Sequence, residues 1–178
     1  MNMIMREIYS SERIEREVAR LARDISSDYE GRELLVIVVL KGAFVFAADL
    51  VRHLTVPLEV DFIQLSSYCG TDSTGRTTIT RDVAVSVAGR HVLVVEDIID
   101  EGRCLSFLLD CLRQRNPASL KVCTMIDNHR RRAVNLAPDY AGISGECGFL
   151  VGYGLDMDQK YRQLPSLYEV VFPDEEAS

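Results

Sequence analysis

The stretch Val94–Leu105 reads V-V-E-D-I-I-D-E-G-R-C-L, so Glu96, Asp97 and Asp100 follow directly on a run of apolar, β-branched residues. Carboxylates this close repel one another unless a ligand offsets the repulsion. A diol donating hydrogen bonds would do so, and so would a divalent cation that prefers hard oxygen donors. Gly102 stands where a helix begins, which lets backbone N–H groups converge on an anion at the positive end of the helix dipole. Acidic residues that only complement that dipole are the plainer explanation. A packed Glu-Asp-x-x-Asp is more than capping needs.

These residues need a frame. Ser10 is placed to cap a helix with apolar positions at Ile14, Val18, Leu21, Ala22 and Ile25, ending near Tyr29-Glu30-Gly31. Leu34–Leu40 (LLVIVVL) reads as a strand buried on both faces, closed by Lys41-Gly42 and followed by a helix over Ala43–Leu54. Leu58–Ser66 alternates as a second strand, and Ser66–Thr80, rich in Ser, Thr, Gly and Asp, reads as a long mobile loop, either functional or disordered. Arg90–Val95 is the next strand, then an acidic turn and a helix over Cys104–Arg115. Leu120–Ile126, Tyr140–Ile143, Phe149–Gly152 and Leu167–Phe172 are further strands. Strand–turn–helix units at this spacing predict an α/β fold with a parallel sheet and helices on both faces. Ligands of such sheets lie at the carboxyl ends of the strands, here after Leu40, Val95 and Ile126.

Composition narrows the function. The 178 residues suit one domain spanning 1–178, and 47% hydrophobic with 26% charged residues is a globular balance. A net charge of −7, with no basic tract beyond Arg130-Arg131-Arg132, argues against nucleic acid as a partner. Those arginines are expected on the surface, and His129 has no evident partner. Five scattered cysteines without C-x-x-C or zinc spacing fit free thiols in a reducing cytoplasm. The N-terminus does not look like a secretory signal, and no apolar run approaches membrane-spanning length, so a soluble, cytoplasmic protein is expected. The absence of G-x-G-x-x-G after an early strand sets aside a dinucleotide-binding domain.

The acidic segment resembles the phosphoribosyl diphosphate (PRPP) motif of type I phosphoribosyltransferases, in the hypoxanthine(-guanine) branch with its V-E-D-I-I-D-[ST]-G-x-T form. Leu40-Lys41-Gly42-Ala43 resembles the family's pyrophosphate loop, and Ser67-Tyr68 its flexible lid. Phe149–Asp156 (F-L-V-G-Y-G-L-D) resembles its hood segment, and Arg162 falls at a pyrophosphate arginine. The resemblance implies a sheet of about five parallel strands flanked by helices, with a small hood from the N-terminal segment and residues from about 140 to 178. It implies transfer of phosphoribose from PRPP to a purine with Mg²⁺ as cofactor, in a homodimer or homotetramer. On this resemblance Glu96 and Asp97 hold the ribose hydroxyls and a metal ion. Asp100 is the catalytic residue near purine N7, and Glu101, Gly102, Arg103 and Cys104 form the phosphate loop. Lys41, Gly42 and Arg162 meet pyrophosphate, and Asp156 helps hold a second ion. Phe149 stacks on the base, Leu150 reads its edge through the backbone, and Ser67 and Tyr68 belong to the lid.

Three residues depart from the family pattern. Glu101 and Cys104 replace hydroxyl residues of the phosphate loop, and a carboxylate turned inward would oppose the phosphate. Asn128 stands where the family has a lysine that donates to O6 of the purine; an amide could still read O6 but would also accept a 6-amino group. The same departures motivate a second reading, a regulator that binds PRPP or a nucleotide without catalysis. The full set Lys41, Asp100, Asp156 and Arg162 argues against it.

Overall fold

The central strand, β2 (Leu34–Leu40), is buried at every position through Val39, as a strand covered on both faces must be. The computed structural model describes residues 3–67 and 77–172. In chain order the other elements are β1 (Ile4–Tyr9), α1 (Ser11–Asp28), α2 (Phe44–His53), β3 (Leu58–Ser67) and β4 (Thr77–Arg81). They are followed by β5 (His91–Ile99), α3 (Arg103–Arg113), β6 (Ser119–Asn128), β7 (Tyr140–Gly145), β8 (Phe149–Val151) and β9 (Leu167–Val171). The main sheet has six strands in the order β4-β3-β2-β5-β6-β7. Five are parallel, as expected, and β4 pairs antiparallel to β3.

Alternate residues of the strands build two cores. Leu34, Val36, Val38, Leu93 and Val95 face α1 and α2, where Ile14, Val18, Leu21, Ala22 and Ile25 form the buried stripe predicted for the first helix. Leu35, Ile37, Val39, Val92 and Val94 face α3 through Leu105, Leu108, Leu109 and Leu112. Ser10 caps α1 by accepting from the Arg13 N–H at 3.4 Å. β1, β9 and β8 form a separate antiparallel sheet, and Leu150, Tyr153, Leu155 and Leu167 carry it onto the α1/α2 core. Among the described residues no helix is long and apolar enough to cross a membrane.

The structure corrects the sequence reading in four places. β5 does not stop at Val95. Ile98 and Ile99 continue it against Ile126 and Asp127 of β6, so Glu96 and Asp97 lie on a strand rather than in a turn. The expected Ser66–Thr80 loop is shorter at both ends, because Ser66 and Ser67 pair with Thr78 and Thr77. β7 extends the main sheet, so the small sheet takes up the chain only at Phe149. β1 was not expected at all; its residues are half exposed and, among the described residues, its only partner strand is β9, late in the chain.

Candidate active site

Glu96 and Asp97 project at the carboxyl end of β5. Asp97 folds back on its own strand, accepting from the Ile98 N–H at 2.8 Å, while Glu96 accepts from the Asp97 N–H at 3.2 Å. Burial, and then the neighbouring Asp97, push the Glu96 carboxyl well above the usual carboxylate range; burial raises Asp97 as well. Asp97 lies against Gly42, where an added Cβ would fall 1.6 Å from its Oδ2. The loop after β2 thus reaches the acidic strand only because residue 42 lacks a side chain. The Leu40–Lys41 peptide bond in this loop is cis.

A second glycine closes the same corner from above. Gly154 has φ +99°, and a Cβ there would sit 2.1 Å from the Gly42 carbonyl oxygen. Beside it Tyr153 donates its hydroxyl to Asp49 of α2 at 2.7 Å, which pins the 152–155 turn to the helix that follows the Lys41-Gly42 loop. Arg162 donates to the Gly154 carbonyl at 2.7 Å and pairs with Asp156 at 2.6 Å. Lys41 and Arg162 both donate to the side-chain oxygen of Gln159, each at 3.2 Å. Two cationic groups thus converge on one neutral oxygen, Arg162 being already paired with Asp156. Sequence reasoning missed Gln159, whose type and loop position carried no signal.

Asp100 lies just beyond β5. It receives the Asn128 amide at 3.4 Å and the Arg131 guanidinium at 3.4 Å. Together with Asn128, Arg131, Phe149, Leu150 and Asp156 it lines a cavity of about 390 Å³. Phe149 is half exposed there, at 51%, so it is not the core aromatic that its apolar character alone would suggest. Asn128 is buried and has no free hydrogen-bonding position. Its NH₂ donates to Asp100 and to the Cys147 carbonyl, and its oxygen accepts from the Cys147 and Arg130 N–H groups. A larger cavity of about 700 Å³, lined by Ile14, Val18, Phe44 and Leu164, contains none of the three carboxylates.

The phosphate-loop candidates divide. Gly102 has φ +80° at the start of α3, and a Cβ would come 2.9 Å from Val134, so glycine is required there. Glu101 is not aimed at the helix end; it pairs with Arg103 and Arg131, each at 3.3 Å. The Cys104 thiol lies 3.6 Å from the Thr77 hydroxyl of β4. Ser67 ends β3, paired with Thr77, and Tyr68 lies outside the described residues.

Two expectations about the basic run are overturned. Arg132 is no surface charge: it donates to the carbonyls of Asp100, Ile99, Asn128 and Leu136 and pairs with Asp127. It thereby ties the ends of β5 and β6 together directly behind Asp100. His129 does have a partner, Asp127, at 2.8 Å.

Among the described residues no three of His, Cys, Asp or Glu gather around one point. Glu96 and Asp97 stand together, and Asp156 is held apart by Arg162. Paired carboxylates with too few partners for a closed cage suit Mg²⁺, which keeps waters and takes oxygens from a bound phosphate.

A parallel sheet ending in carboxylates, with a glycine-opened helix start on one side and a basic corner on the other, defines an α/β protein whose candidate site lies at the carboxyl ends of its strands. The phosphoribosyl transferase domain family matches residues 5–158, and the chain belongs to that family. It is 44% identical over 166 residues to the hypoxanthine-guanine-xanthine phosphoribosyltransferase of Tritrichomonas foetus, covering 93% of this chain and 91% of that protein. It is 40% identical to the hypoxanthine-guanine phosphoribosyltransferase of Bacillus subtilis over 91% of both chains. A crystal structure of a hypoxanthine-guanine phosphoribosyltransferase from Bacillus anthracis superposes with a TM-score of 0.88 at 43% identity, over 96% of this chain and 100% of that one. The protein is a transferase with the fold of its family.

Proposed function

We propose that the chain transfers the 5-phosphoribosyl group of PRPP to hypoxanthine, with guanine as a second substrate, releasing pyrophosphate and giving the nucleoside monophosphate. The observation that carries this reading is the meeting of Asp97 with Gly42 beside the cavity that holds Asp100 and Phe149. The bond from ribose C1′ to pyrophosphate breaks as a bond to purine nitrogen forms, and positive charge develops on the ribose. Glu96 and Asp97 accept the ribose hydroxyls and oppose that charge electrostatically. Asp100 takes the purine N7 proton as the new bond forms. Lys41 and Arg162 receive the departing pyrophosphate, helped by backbone N–H groups around Gly42. Phe149 stacks on the base and the Leu150 backbone meets its edge.

Glu96 and Asp97 are the residues that would hold Mg²⁺ on the ribose side, and Asp156 a second ion. Bound there, the metal would neutralise charge on the leaving group. Gly102 and the start of α3 hold the 5′-phosphate through N–H groups, with Arg103 nearby. Because Glu101 is turned to Arg103 and Arg131, its carboxylate need not oppose the phosphate. By the family resemblance Ser67 and Tyr68, the latter outside the described residues, would serve to exclude water from the reacting sugar. Free cysteines at 104, 111, 123 and 147 accord with work in the cytoplasm, and a homo-oligomer belongs to the same reading. Relatives named for catalysis favour turnover over a purely ligand-sensing role.

The test is conversion of hypoxanthine by the full chain with saturating PRPP and Mg²⁺, following nucleotide and pyrophosphate in equal amounts. Absence of turnover with hypoxanthine, guanine, xanthine and adenine alike would reject the proposal.

A further inference from the structure

Asp100 has two side-chain neighbours in the cavity, and they differ in what they leave free. Asn128 spends its whole amide on Asp100, Cys147 and the Arg130 backbone, so it offers a purine nothing. It acts on the site through Asp100, as a positioning residue. Arg131 reaches Asp100 at 3.4 Å with one terminal nitrogen and Glu101 at 3.3 Å with the other, and its side chain is 64% exposed. A guanidinium has five N–H groups, so donors remain after both contacts.

On a purine, N7 and the substituent at C6 share one edge. If Asp100 faces N7, as the proposed function requires, a donor already touching Asp100 is beside the C6 substituent. We propose that Arg131, steadied by Glu101, reads the 6-oxo group of the base and is the specificity residue of this site. A guanidinium only donates, so it pairs with a carbonyl at C6 and meets a 6-amino group donor to donor. The same arrangement gives Glu101 a positioning role. It orients Arg131 and keeps the guanidinium from collapsing fully onto Asp100, which must stay available to accept a proton. Arg130 lines the cavity as well, but among the described residues only Arg131 pairs with Asp100.

This inference rests on the proposed function for the placement of the base, and two readouts separate the two. The first is kcat/KM for hypoxanthine and for adenine at saturating PRPP, in the unaltered chain and in Arg131→Gln and Arg131→Lys. The second is calorimetric binding of IMP and of AMP to the same full-length proteins, which needs no turnover. Arg131→Gln should lower kcat/KM for hypoxanthine about 10- to 100-fold, mainly through KM, because one charge-assisted hydrogen bond is lost. Adenine should not lose. Arg131→Lys, still a donor only, should keep most of the preference. IMP binding should weaken in Arg131→Gln while AMP binding does not. Turnover with an unchanged hypoxanthine-to-adenine ratio in Arg131→Gln would overturn this inference and leave the proposed function standing. No turnover, with IMP still preferred to AMP through Arg131, would do the reverse. Equal binding of IMP and AMP by the unaltered chain would overturn the inference outright.

Discussion

Glu96 and Asp97 are costly neighbours, and the cost identifies them. Burial raises both carboxyls, and the charge of Asp97 raises Glu96 further. A carboxyl raised in the folded state favours folding at acid pH, and that advantage is lost as pH rises through its folded pKa. Glu96→Gln should therefore raise the Tm of the ligand-free protein at neutral pH by about 3–6 °C, with no gain near pH 4. The same variant should bind PRPP more weakly. Differential scanning fluorimetry across pH reads the first effect, and an unchanged Tm at pH 7 would show that the buried Glu96 carboxyl carries no such cost. The three carboxylates were legible in the sequence because their types and order are unusual at a strand's end. Arg132 and Gln159 were not. A run of three arginines looks like a solvated face until Ile99 and Asp127 pair across β5 and β6 and bring four carbonyls to one guanidinium. Gln159 gains meaning only from Lys41, which reaches it from the loop after β2, and from Arg162, three residues further along its own segment.

At the level of elements, the site depends on one contact between two glycines. The turn that follows β8 rests on the loop after β2 through Gly154 and the Gly42 carbonyl, and that loop in turn rests on Asp97 of β5. In Gly154→Ala the new methyl group would lift the turn, carrying Arg162 away from Lys41. A displacement of about 1 Å at a reacting centre costs about 100-fold in rate. The variant should lose activity on that scale with far-UV circular dichroism unchanged, and full activity would show that the contact does not set the geometry. Buried strands and the apolar stripe of α1 were readable because burial on one or two faces imposes a period on the sequence. β1 and β4 were not readable, since each is half exposed and owes its existence to a single partner strand. The extension of β5 was missed for a related reason: acidic side chains argue against a strand, whereas pairing with β6 overrides that preference.

For the molecule as a whole, stability and chemistry are placed at opposite ends of the sheet. Away from the site, Asp28 at the end of α1 accepts from the Tyr140 hydroxyl at 2.6 Å and from Lys121 at 2.9 Å. These hydrogen bonds, Tyr140 first, hold the Asp28 carboxyl below its usual range. A depressed carboxyl contributes stability above its unfolded pKa of about 4, and the contribution is lost as pH falls through the folded value. Asp28→Asn should lower the Tm at pH 7, the difference from the unaltered chain should vanish toward about pH 3, and kcat at pH 7 should not change. A difference that persists in acid would assign the effect to packing instead.

Everything proposed for the site requires that the carboxyl end of β5 grip the ribose of PRPP. A crystal structure of the chain with PRPP and Mg²⁺ tests this most directly. The ribose hydroxyls should lie within hydrogen-bonding distance of Glu96 and Asp97, with the diphosphate between Lys41 and Arg162 and the 5′-phosphate at the start of α3. Ordered PRPP bound elsewhere, with those two carboxylates facing only solvent, would contradict it.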